Sequence, residues 1–113
     1  MNLQVTFRDF PPSDSVRTHV ENRAKKLVEH AERIIAIKVA LEAPHHHHKH
    51  GNAFRVRIEI IAPGGDLVIS PRDSAQGHTD LHAAVDDAFA DAERRLRDRA
   101  GHRRSEAKSP ASD

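Results

Sequence analysis

Apolar side chains at every second position, first Leu3-Val5-Phe7, then Ile35-Ile37-Val39-Leu41, then Phe54-Val56-Ile58-Ile60, limit much of this chain to strands with one buried face. Such strands need a cover for their apolar side. Between the first two sets, Val16, Val20, Ala24, Leu27 and Ala31 recur at steps of four, four, three and four. At ~100° per residue they gather on one face of a helix. Pro11-Pro12 ends the strand before it, and Ser13 or Asp14 can cap the helix, which is expected to run to about His30. Pro63-Gly64-Gly65-Asp66 predicts a reversal, because glycine supplies a positive φ, and Leu67 to Ser70 a short returning strand. After a polar loop from Pro71 to His78, Asp80 is placed to cap a last helix with Leu81, Val85, Ala88, Ala92 and Leu96 on its apolar face. Gly101 is expected to stop it.

The predicted order is β-α-β-β-β-α. A helix crossing over between the first two strands suits parallel pairing, and the Pro-Gly-Gly turn makes a hairpin. One face of a four-stranded sheet can cover both apolar helix stripes, giving an α+β two-layer sandwich. With 113 residues there is room for one core, so residues 1–100 are read as one domain and 101–113 as a polar, disordered tail. The chain has no cysteine, hence no disulfide, thiolate metal site or cysteine nucleophile. It shows neither a signal-peptide pattern nor a membrane-length apolar run, and a cytoplasmic protein is expected.

The net charge is only +1, but charge is segregated along the chain. Asp80 to Glu93 is acidic with no Lys or Arg, whereas Arg94, Arg95, Arg97, Arg99, Arg103, Arg104 and Lys108 follow against Asp98 and Glu106. On the first helix His19, Arg23, Lys26 and His30 repeat at four, three and four, forming a basic row beside the apolar face. Several cations on one surface are what phosphate binding requires; the same spacing also fits a solvated helix face.

Two other clusters invite chemistry. His45, His46, His47, His48 and His50, interrupted by Lys49, are secondary metal candidates, since imidazole ligates zinc, nickel and copper. A consecutive run lacks the converging directions and outer support of a built site, so a mobile loop is the simpler reading, contact with an RNA backbone the next, and a histidine-rich metal-binding small protein the alternative function. His78, Asp80 and His82 could be written as an acid–base group of a small α+β hydrolase, although Asp80 already serves as a cap. No phosphate-binding loop, GxGxxG, HExxH or GxSxG pattern occurs.

Leu3-Gln4-Val5-Thr6, Arg17-Thr18-His19-Val20 with Arg23, Lys26 and Leu27, then Asp80-Leu81-His82-Ala83-Ala84-Val85-Asp86 and Glu93-Arg94-Arg95-Leu96 together resemble the ribosome hibernation-promoting factors, also called ribosome-associated inhibitor A, ribosomal protein Y or sigma-factor modulation proteins. The resemblance covers nearly all of residues 1–100. It implies a fold similar to a double-stranded RNA-binding domain, and a non-enzymatic factor that binds the small ribosomal subunit and blocks the messenger and transfer RNA sites. It implies a monomer needing no cofactor, membrane or small-molecule substrate, and a short form without the second domain that pairs ribosomes. Carried over by position, Arg17, Arg23, Lys26 and His30 look like rRNA contacts of the first helix, and Arg94, Arg95 and Arg97 like those of the second. Asp91 and Asp98 stand where relatives often carry Lys, which is expected to shift the footprint toward Arg94, Arg95, Arg97 and Arg99. His82 replaces a usual Tyr and could still stack or hydrogen-bond to RNA.

Overall fold

The computed structural model describes residues 2–30, 33–43, 54–70 and 80–108; at 30, 100 and 102–108 the description is of the backbone. Strand β1 spans Asn2–Arg8, helix α1 Asp14–His30, β2 Ala36–Glu42, β3 Arg55–Ile61, β4 Leu67–Ile69 and helix α2 Leu81–Lys108. The sheet order is β1-β2-β3-β4. β1 pairs parallel to β2 across the α1 crossover, and the other two pairings are antiparallel. The expected α+β sandwich is what forms.

The two periodicities meet in one core. Val16, Val20, Ala24 and Leu27 of α1 pack with Leu81, Val85, Ala88 and Ala92 of α2 over Ile37, Val39, Leu41, Val56, Ile58 and Ile60 of the sheet. Each of these larger side chains contributes roughly 1.5–3 kcal/mol by leaving water. Phe89 and Ala84, absent from the predicted α2 stripe, are also buried, and Phe89 is the largest of the fully buried side chains.

Local chemistry sets the boundaries. Ser13 Oγ accepts from the Val16 amide at 3.3 Å, and Asp80 Oδ1 accepts from the His82 amide at 3.0 Å, each satisfying an early helix donor. Asp80→Ala should therefore destabilise the domain by about 1 kcal/mol. A thermal melt should show the midpoint falling by roughly 4–6 °C. Gly65, at φ 118°, closes the β3–β4 hairpin, its amide donating to the Ala62 carbonyl at 3.0 Å. Arg99 Nη2 donates to the Gly65 carbonyl at 2.6 Å, so this turn also anchors α2. A Cβ at Gly65 would lie 3.2 Å from that same nitrogen.

Two expectations need correction. The period of two placed Ile35 inward, but its side chain is 56% exposed, while Ile34 is buried. The chain leaves α1 through Arg33 at φ 75°, which tucks Ile34 into the core; regular inward alternation starts at Ile37. Gly101 does not stop α2, which continues to Lys108. A solvent-facing glycine costs a helix only about 1 kcal/mol, and the good helix formers Arg103, Arg104, Glu106, Ala107 and Lys108 follow. Part of the predicted tail is thus helical; residues 109–113 lie outside the described set.

Candidate nucleic-acid interface

The basic row of α1 begins inside the groove between the helices. His19 Nε2 lies 2.7 Å from Asp86 Oδ1. Arg23 donates through Nη2 to the Asp86 carbonyl at 3.3 Å, with Nη2 3.4 Å from Glu93 Oε2 and Nε 3.6 Å from Asp86 Oδ1. Its guanidinium also lies 6.0 Å from the Phe89 ring centre. One turn earlier, Ser15 Oγ is 3.3 Å from His82 Nε2, and the His19 and His82 rings are 5.0 Å apart. Positions rise together on both helices, from Ser15 with His82 to His19 with Asp86 to Arg23 with Glu93, so the helices lie side by side in parallel.

This arrangement gives the charge segregation a structural meaning. The acidic half of α2 meets the start of the α1 basic row and neutralises it. Asp86 is half exposed, so each such ion pair adds at most a fraction of a kcal/mol. Arg23 is more deeply committed: its Nε is buried without a hydrogen bond, and 3.6 Å to Asp86 gives charge contact only. Neutralising Arg23 would leave Asp86 and Glu93 without that cation, mixing a packing effect into any binding measurement.

Past Glu93 the balance reverses, with Arg94, Arg95, Arg97 and Arg99 against Asp98. Not all four reach outward. The Asp91 carboxylate, 10% exposed, accepts from Arg94 and lies 3.4 Å from Arg95 Nε, drawing both onto the helix surface. Arg99 is held by Gly65. Arg97 is exposed and has no hydrogen bond or ion pair among the described residues, and the same holds for exposed Lys26 on α1. By the offset of 67 positions seen at Ser15 and His19, Lys26 falls beside the α2 turn Glu93–Arg97. Arg17 stacks over Phe7, 5.3 Å from its ring centre. The His30 side chain lies outside the described residues.

The alternative sites fare differently. Asp80 caps α2 and the His82 ring turns to Ser15, so the two side chains form no acid–base pair; His78 lies outside the described residues. His45, His46, His47, His48 and His50 also lie outside them. Among the described residues no group of three His, Cys, Asp or Glu could hold a metal, and no helix is long and apolar enough to cross a membrane.

Sequence reasoning missed one charged surface almost entirely. On the open face of the sheet, Arg8 pairs by register with Glu42 and Glu42 with Arg55, while Arg57 follows two residues along β3. Arg55 and Arg57 alternate with the inward Val56 and Ile58 of β3 and so face outward; only the parallel β1–β2 register brings Arg8 to them. The three line a recess of about 250 Å³ with Ala40 and Glu42.

Comparison with known proteins agrees with this architecture. The family model described as Sigma 54 modulation protein / S30EA ribosomal protein matches residues 3–104. Among solved structures, the N-terminal domain of protein Y from Thermus thermophilus is similar at 23% identity, covering 85% of this chain and 96% of that one, with a TM-score of 0.66. A ribosomal subunit interface protein from Coxiella burnetii is similar at 16% identity, covering 89% and 99%, with a TM-score of 0.70. No curated protein sequence matches the chain.

Proposed function

Because the chain belongs to the sigma 54 modulation protein / S30EA ribosomal protein family, we propose that it is a hibernation factor that docks on the rRNA of the small ribosomal subunit and blocks the messenger and transfer RNA sites. The mechanism is steric and needs no chemical step. The observation that carries it is the outward pair Lys26 and Arg97, unpaired among the described residues and lying beyond the point where the acidic half of α2 meets the α1 row. Cations without protein partners keep their full charge for phosphate, and each contact made releases counterions. Arg94, Arg95 and Arg17 contribute once RNA competes for them, and His82 lies nearer the α1 end of the groove. The protein acts as a monomer: among the described residues the exposed large apolar side chain is Ile35, too little for a stable dimer surface. Its place is the cytoplasm, where ribosomes work.

The test is sedimentation of the purified chain with small subunits, large subunits and assembled ribosomes. Wild type should travel with small subunits at low salt. Lys26→Gln/Arg97→Gln should bind them roughly tenfold more weakly, with an unfolding midpoint within about 2 °C of wild type, since neither side chain holds the fold. A folded wild-type protein that stays in the supernatant at low salt would sink the reading.

A further inference from the structure

We propose that the open face of the sheet is a second phosphate-binding surface, in which Arg8, Arg55 and Arg57 take the backbone of an RNA strand. The proposal rests on RNA being the partner, as above, and adds a contact on the side of the sheet away from the helices. Arg8, Glu42 and Arg55 are register partners across three neighbouring strands, which at ~4.8 Å per strand spacing sets the two arginine Cα atoms roughly 10 Å apart. Arg57 stands two residues beyond Arg55 on the same face, ~6.8 Å along the strand.

These groups face a shared recess of about 250 Å³. All three arginines are exposed, and none of their side chains has a hydrogen bond or ion pair among the described residues. Glu42 is the one carboxylate in the lining, so three cations stand against one anion and the recess carries two positive charges in excess. Like charges held this close repel one another, and an anion between them relieves that repulsion.

The chemistry of the ligand follows from the donors. A guanidinium offers a planar fork that grips phosphate with two bonds, and three forks spread over two directions of a sheet suit repeated charges on a polymer. The phenylalanines Phe7, Phe10 and Phe54 are packed against the core, so among the described residues this face has no aromatic platform for bases. The contact therefore reads backbone rather than sequence. It also contrasts with the helix side, where Asp86, Glu93 and Asp91 engage His19, Arg23, Arg94 and Arg95.

The full chain, labelled for amide NMR, is titrated with a short single-stranded RNA and separately with inorganic phosphate at equal phosphate concentration. Small-subunit sedimentation is run in parallel with wild type and Arg55→Gln/Arg57→Gln. RNA should move the amides of Arg8, Glu42, Arg55 and Arg57, phosphate alone should not, and the variant should lose these shifts while keeping a dispersed spectrum. Its affinity for small subunits should fall roughly tenfold, and its slope of log affinity against log salt should flatten by about 1.5. Shifts confined to α1 and α2, or a variant that binds subunits as wild type does, would overturn the sheet-face contact and leave the hibernation reading standing. Equal shifts with inorganic phosphate would make a free anion the ligand and overturn the RNA assignment. Strand-amide shifts with RNA, in a protein that never sediments with small subunits, would sustain the sheet-face site and end the hibernation reading.

Discussion

Phe89→Ala is expected to lower the unfolding midpoint by roughly 12–20 °C, corresponding to about 3–4 kcal/mol. Phe89 is fully buried on α2 between Val85 and Ala92 of the core stripe. Much of the remaining α2 face is built from the small side chains Ala84, Ala88 and Ala92, which cannot expand into the space an absent ring would leave. The deletion thus removes transfer energy and also opens a cavity. It disturbs the helix seam as well, because the Arg23 guanidinium rests 6.0 Å from the ring centre and bridges to Asp86 and Glu93. Melting followed by far-ultraviolet circular dichroism would measure the shift. Phe89→Leu, which keeps most of the volume, should lose less than half as much. A loss below about 1 kcal/mol for Phe89→Ala would contradict a core keyed on this ring.

Raising salt from about 50 to about 200 mM is expected to weaken small-subunit binding by roughly a hundredfold. That figure follows from about five phosphates engaged and a slope near −0.7 per contact for a flexible RNA backbone. The formal net charge of the chain, +1, would suggest a much smaller dependence. The distribution of charge decides otherwise: Asp86, Glu93 and Asp91 are engaged with His19, Arg23, Arg94 and Arg95, while Lys26 and Arg97 and the arginines of the sheet face remain unpaired among the described residues. Sedimentation or fluorescence titration at four salt concentrations would give the slope. A slope shallower than about −1 would mean that phosphate contacts do not hold the complex.

Strand periodicity, the α1 stripe and the Pro-Gly-Gly hairpin were visible because each is a local repeat, fixed by which side of one element meets the core. The Asp80 cap was visible for the same reason: donor and acceptor are two residues apart. Ile35 was misplaced because adjacent isoleucines at 34 and 35 offer two phases of the same alternation, and the αL conformation at Arg33 chooses between them. Gly101 misled because a glycine marks a helix end only when the chain must turn there; its α-carbon is exposed, with room for a side chain among the described residues.

The candidate surface divides in the same way. The order of residues is enough to put a basic row on α1, to make α2 acidic and then basic, and to set Arg55 and Arg57 on one side of β3. Those are properties of one element at a time. It takes the folded chain to bring His19 and Arg23 to Asp86 and Glu93, to hold Arg99 at Gly65, and to set Arg8 beside Arg55 and Arg57. Whether a charge is available depends on which opposite charge the fold brings within about 4 Å of it; Asp91 lies three and four positions from Arg94 and Arg95, but Asp86 lies 67 from His19 and 63 from Arg23.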